Sequence, residues 1–237
     1  MDEALDFVIS NNSISVIIPA YNEEDFINTT LDGLPQHWFN EIIVINDGSF
    51  DKTGENINNY IEKNNQNKNK AQFKIITFSR NRGKGYSVLR GIKESSGDII
   101  VLLDADLGAS VVEVKKLLAA LHKNAEASIG VIPVKGGGLG LVCKLADTGL
   151  KFLTGKSMKA PLSGQRAFKR KTLLSLLPLP AGFGLEMGLN IKMIKNGVKY
   201  VEVECDFQHR TTVKDLKGFI HRGKQFFQIL NTLLKIR

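Results

Sequence analysis

Cysteine is nearly absent from this sequence: its 237 residues hold two, Cys143 and Cys205. Two thiols among apolar neighbours make no disulfide framework, so both are expected buried and reduced. No apolar run reaches the ~18 residues of a membrane span. The opening MDEALDFVIS is acidic and lacks the basic start and long apolar run of a secretory signal, so a cytoplasmic location is expected. No repeat recurs and no linker justifies a cut, so residues 1–237 read as one domain, long enough for a well-buried α/β core. Acidic residues are outnumbered, 24 against 32 Lys and Arg, and the net charge of +8 favours acidic partners without choosing among nucleotides, sugar phosphates, nucleic acid or an anionic membrane.

Apolar runs alternate with helical patterns through the first half. SISVIIPA (13–20), EIIVIND (41–47), FKIITF (73–78) and the run Ile99 to Leu103 read as strands. Helices are expected over Glu23 to Leu34, Lys52 to Lys63 with Asp51 as its cap, and Lys84 to Ser95. NNQNKNK (64–70) is a polar loop. Beyond it come a helix over Val111 to Asn124, a strand in EASIGVIPV, and the turn KGGGLG (135–140). A helix near Leu141 to Leu153 follows, then a short strand in PLSGQRAFKR, a helix in PAGFGLEMGLNIKMIKNG and a strand in KYVEVECDFQHR. Such alternation predicts an α/β fold with a parallel, doubly wound sheet, whose ligands bind beyond the carboxyl ends of the strands.

The polar residues at those ends are therefore expected on one rim. They are PAYNEE after the first strand, NDGS after the second, SRNRGKG after the third and DAD after the fourth. Asp104 and Asp106 lie two apart and would point together if strand geometry persists; a divalent cation, Mg²⁺ or Mn²⁺, is the usual partner of such hard oxygens. The plainer alternative is one helix cap and one solvated carboxylate. Asp47 has the chemistry to accept from the edge of a base such as uracil, or to close an Asx turn. Arg80, Arg82 and Lys84, with two glycines before a helix, form an anion site that lacks P-loop spacing. His209 ends a strand and has an imidazole to offer the same metal, although a lone His is usually a surface residue.

SVIIPAYNEE, VINDGSFD, RGKG and LLDADLG, in this order and spacing, resemble the nucleotide-sugar-dependent glycosyltransferases of the GT-A fold, the large family that includes dolichyl-phosphate mannosyltransferases and cellulose synthases. PLSGQRAFKR, GFGLEMGL and FQHR resemble glucosyl-3-phosphoglycerate synthases and their bacterial relatives. The resemblance implies a Rossmann-like, mostly parallel sheet with helices on both faces, residues 13–108 forming the nucleotide half and 109–237 the acceptor half. It places Pro19, Ala20, Tyr21, Glu23 and Asp47 around the nucleoside, Lys84 at the diphosphate, and Asp104 by the ribose and metal. Asp106 and His209 would be direct metal ligands. Ser163 and Gly164 would sit by the sugar or acceptor, and Glu186 would hold sugar hydroxyls.

The implied activity is metal-dependent transfer of a hexose, with glucose from UDP favoured and a GDP-sugar as the alternative donor. Lys84 and Arg210 would stabilise the departing diphosphate. Glu186 is the one attractive base for inversion, whereas the closer relatives retain configuration. KGGGLG lacks the Arg and Thr that bind the acceptor in the phosphoglycerate enzymes, and Thr211 replaces an Asn, so the acceptor site is altered. A basic amphipathic helix over Val213 to Ile236, with Leu216, Phe219, Phe226 and Leu230 on one side, packs on the core or a second subunit, or meets a membrane with a polyprenyl-phosphate acceptor. Two other classes compete. A nucleotidyltransferase would carry its basic Gly-rich loop after the first strand, and a non-catalytic basic protein would not need Asp47, Asp104, Asp106 and His209 at strand ends.

Overall fold

The computed structural model describes residues 2–64, 71–122, 124–132, 139–179 and 184–208. The four apolar runs of the first half form β1 (Ile14–Ala20), β2 (Glu41–Asn46), β3 (Gln72–Thr77) and β4 (Ile99–Leu102). The second half adds β5 (Ala127–Val131), β6 (Arg166–Lys169) and β7 (Tyr200–Glu204). All seven join one sheet in the order β3-β2-β1-β4-β6-β5-β7. Every pairing is parallel except the two made by β6, which runs antiparallel to both β4 and β5.

The central strands are apolar on both faces because both faces are covered. Val16, Ile18, Ile42, Val44 and Val101 face α1 (Asp2–Asn11), α2 (Ile27–Gly33), α3 (Thr53–Asn64) and α5 (Val114–Ala120). Their neighbours Ile17, Ile43, Ile45, Ile100 and Leu102 face α4 (Lys84–Glu94), α6 (Leu139–Thr154), α7 (Arg170–Ser175) and α8 (Gly184–Lys195). Residue-by-residue alternation thus feeds two separate cores. On α4, Gly91 lets the helix lie close to the sheet: a Cβ there would come 2.5 Å from Ile17 Cγ2.

Several boundaries differ from expectation for local reasons. α1 was not expected; its Leu5 and Val8 are buried, so the acidic opening is a docked amphipathic helix. α2 begins at Ile27 rather than Glu23; a turn precedes it, closed by the Phe26 N–H on the Glu23 carbonyl at 3.1 Å, and the amides of residues 23 and 24 are held by Thr53 Oγ1 (2.7 Å) and Asp51 Oδ2 (3.3 Å). Asp51 Oδ1 caps α3 as expected, accepting from the Thr53 N–H at 2.9 Å. The single helix expected over 111–124 is a 3-10 turn, Gly108–Glu113, followed by the short α5. The C-terminal helix expected over 213–236 lies outside the described residues.

Candidate active site

β4 ends at Leu102, two residues short of Asp104, so strand periodicity does not orient the DAD carboxylates. A turn through residues 105 and 106 does, and α2 holds that turn. The Thr30 hydroxyl donates to the Ala105 carbonyl at 2.8 Å and accepts from the Gly108 N–H at 2.8 Å. Thr30 is fully buried, and no feature of the sequence marks it.

Asp104 is the hub of the rim. Its Oδ1 pairs with Lys84 Nζ at 2.7 Å, and its Oδ2 accepts from Gln165 Nε2 at 2.7 Å. Lys84, the first residue of α4, also reaches Glu186 Oε1 at 3.3 Å. Burial works to lower the Lys84 pKa, but the Asp104 and Glu186 carboxylates outweigh it and hold the ammonium above the ordinary lysine value. Lys84 is therefore a fixed cation between two acids. Gly164 closes the cluster from above; a Cβ on it would lie 2.5 Å from Lys84 Nζ and 2.9 Å from Asp104 Oδ2. Lys84, Asp104, Gly164 and Glu186, together with Pro19 and Arg166, surround a cavity of about 10 Å³, the space of roughly one water.

The second basic element is set by Asp47. This residue is 2% exposed, and its two carboxylate oxygens accept the N–H groups of Arg82 and Gly83, each at 2.8 Å. It thereby fastens the RNRGKG loop to the end of β2. Gly48 lets the two loops meet: its φ is +68°, and a Cβ would come 2.7 Å from Arg80 Cα. The Arg82 guanidinium lies 3.8 Å from the Tyr86 ring centroid and donates to the Tyr86 hydroxyl at 2.6 Å. Arg80, Arg82, Phe78 and Ser79 line an open concavity of about 650 Å³, a size suited to a nucleotide.

The loops after β1 and β2 are laced together. Asn22 accepts from the Phe50 N–H at 3.1 Å and donates its own N–H to Ser49 Oγ at 3.1 Å. The lacing leaves the Tyr21 and Phe50 rings edge-to-face, centroids 6.2 Å apart, on the solvent side of the rim. Tyr21 was a candidate from its motif. Phe50, 83% exposed, was not, although a phenyl in a polar turn after a strand was the available signal.

The structure brings Pro19, Lys84, Asp104, Gly164 and Glu186 together; Ala20 ends β1, and Tyr21, Glu23, Asp47, Asp106 and Ser163 lie in loops that follow or precede the strands. His209, Arg210 and Thr211 lie outside the described residues, as does most of KGGGLG. The described chain reaches Gln208, whose N–H donates to Ser110 Oγ at 2.8 Å, four residues past Asp106. Among the described residues, no group of three His, Cys, Asp or Glu is gathered around a metal position.

Gln165 and Arg166 also escaped the sequence reading. Gln165 is 1% exposed and orients Asp104. Arg166 is fully buried, and its burial depresses its pKa to about 10 despite the Glu186 and Glu202 carboxylates nearby.

Residues 15–167, well over half the chain, match the sequence profile of glycosyl transferase family 2. The chain belongs to that family. Within it, the family 2 chain is 30% identical over 236 residues to a dolichol-phosphate mannosyltransferase of Pyrococcus furiosus, an alignment covering 94% of this chain and 63% of that protein. A dolichyl-phosphate beta-glucosyltransferase of Dictyostelium discoideum is 31% identical over 52% of the chain and 40% of its own length. The chain thus spans less than two thirds of these relatives. Among solved structures, glucosyl-3-phosphoglycerate synthase of Mycobacterium tuberculosis with phosphoglyceric acid superposes with a TM-score of 0.76 at 25% identity, covering 98% of this chain and 82% of that one. The same enzyme with Mn²⁺, UDP-glucose and phosphoglyceric acid gives a TM-score of 0.75 at 25% identity, covering 98% and 81%. The family 2 fold here is accordingly of the GT-A type, its mostly parallel sheet covered by helices on both faces.

Proposed function

We propose that this chain transfers a hexosyl group from a nucleotide-sugar, UDP-glucose foremost, to an acceptor bearing an acidic group. The observation that carries the reading is the Lys84–Asp104–Glu186 cluster beneath Gly164, set beside an arginine-lined concavity in a family 2 fold. In this reading Pro19, Ala20, Tyr21, Glu23 and Asp47 take the nucleoside. Arg80, Arg82 and the Lys84 ammonium face the diphosphate, and Ser163, Gly164 and Glu186 face the sugar and acceptor. Arg210 adds a further cation for the leaving group.

A divalent cation fits the chemistry of the donors at the DAD turn, two carboxylates of hard oxygens. Asp104 and Asp106 would hold it, with His209 as third ligand. Bound there, the cation neutralises charge building on the departing diphosphate. Asp104 already engages Lys84, so cation binding redistributes a salt bridge rather than filling a preformed cage. The M. tuberculosis enzyme, crystallised with Mn²⁺ and UDP-glucose, supports a divalent cation as the cofactor.

Two acceptors are supported by different observations. Likeness to the phosphoglycerate enzyme over 98% of the chain favours a small acidic acceptor. The dolichyl-phosphate relatives favour a polyprenyl phosphate at a membrane face, consistent with the altered KGGGLG turn. Radiolabelled UDP-glucose with Mn²⁺, offered 3-phosphoglycerate or a short polyprenyl phosphate in detergent, separates them by product solubility. Label transferred to neither, from either UDP-glucose or a GDP-sugar, overturns the reading. Retention at the anomeric carbon follows the phosphoglycerate enzymes, whereas family 2 members generally invert. Glu186, 3.3 Å from the Lys84 ammonium, would be the base for inversion. The C1–H1 coupling of the product reads the outcome.

A further inference from the structure

Arg166 opens β6 with none of its surface exposed. Removing a guanidinium from water is costly unless its donors are engaged. They are engaged by neutral oxygens: Nε donates to the Ser163 carbonyl at 2.8 Å, Nη1 to Asn190 Oδ1 at 2.7 Å and Nη2 to the Pro161 carbonyl at 3.4 Å. Asn190, equally buried on α8, donates its Nδ2 to the same Pro161 carbonyl at 2.7 Å. Two successive anchor points on the 161–163 segment are thus fixed by two side chains that meet no solvent. An aliphatic side chain would fill this space; what the planar fork adds is a set register for the backbone it grips.

The gripped segment forms one wall of the site. Immediately after it, Gly164 lies against Lys84 and Asp104, and Gln165 donates to Asp104. Asn190 stands one helical turn beyond Glu186 on α8, so the same contact ties the segment to the helix that carries Glu186. We propose that Arg166 and Asn190 are positioning residues, which touch no substrate but hold residues 161–165 so that Asp104, Lys84 and Glu186 keep their mutual geometry. The inference rests on the transferase reading above for its kinetic consequence, though not for its structural one.

The test uses the full chain carrying Arg166→Lys, Asn190→Ala or Asn190→Asp. The last keeps an acceptor for Arg166 while losing the donor to Pro161. In the unliganded protein, amide hydrogen exchange at Ser163, whose N–H donates to the Ala160 carbonyl at 3.2 Å, and at Gly130, whose N–H donates to the Gln165 carbonyl at 2.9 Å, is expected to quicken about tenfold in Asn190→Ala and Arg166→Lys, while amides of β1 and β2 keep their rates. Asn190→Asp recovers part of the protection. With UDP-glucose and Mn²⁺, release of UDP as the glucosyl group passes to water is expected to lose about 100-fold in kcat, with KM for UDP-glucose held within about threefold. Unchanged exchange at Ser163 and Gly130 in both weakening variants overturns the proposal, as does a raised KM with kcat intact. A wild-type chain that neither binds nor turns over UDP-glucose counts against the transferase reading, and the exchange arm then decides the brace by itself.

Discussion

Glycine at position 164 is a requirement of the charges around it. Lys84 and Asp104 occupy the volume a methyl group would need, so Gly164→Ala must push the ammonium or the carboxylate aside. We expect transfer to fall by roughly 10- to 100-fold while the melting temperature stays within a few degrees, because the displaced atoms end flexible side chains. Equal activity in the variant would show that the Lys84–Asp104 contact is dispensable. At the opposite end of the sheet, Glu41 plays a purely structural part. Burial alone would raise its pKa, but bonds from Lys74 (2.6 Å), Ser15 (2.6 Å) and Ser96 (2.6 and 2.8 Å) hold it at about 2 instead of 4.5. A depressed carboxylate contributes stability that is complete above the unfolded value and is lost as pH falls through the folded one. The window is therefore pH 4.5 to 2, and the contribution about 3 kcal/mol. Urea titrations at pH 7 and 3 should show about 2 kcal/mol of that loss in the wild type and a flatter profile in Glu41→Gln, whose activity at pH 7 is retained.

Among elements, the reversed strand β6 matters most. Because it runs against β4, pairing Arg166 with Leu102, the residues leading into β6 stand beside those leaving β4. That places Ser163, Gly164 and Gln165 on the rim that the parallel strands reach with their carboxyl ends. The loops of the rim are fastened from the side: Thr30 of α2 holds the DAD turn, and Asp47 holds the RNRGKG loop. Gly48 is where two such loops touch, with a positive φ and no room for a side chain. Gly48→Ala is expected to cost at least about 2 kcal/mol in denaturant unfolding, combining strain with displaced backbone. A cost under about 0.5 kcal/mol would mean the loops part easily.

At the scale of the whole molecule, folding and ligand binding are linked. If UDP and Mn²⁺ bind together at the rim, a hundredfold excess over Kd stabilises the chain by about 2.7 kcal/mol and raises its melting temperature by roughly 5–10 °C. Chelation should abolish the rise, and Asp106→Asn should not show it. A shift of the same size with UDP and chelator would indicate nucleotide binding that needs no metal. The two cores on either face of the sheet make the domain a firm platform, so these shifts report the site rather than a loose fold.

By itself the sequence determined the parallel half of the sheet, since unbroken apolar strands between helical stretches have no other way to bury both faces. It also placed Asp47 and Asp104 just past strand ends and Lys84 at the head of the helix after β3, where such folds collect ligands. The tertiary structure alone decided the direction of β6, because a strand of four residues, Arg166–Lys169, reads the same either way. With that direction came the approach of Gly164 to Asp104 and the use of Gln165, Arg166, Asn190 and Thr30, side chains that each have a partner 24 to 78 residues away. Their role is a matter of contact across the chain, and contact across the chain leaves no local pattern.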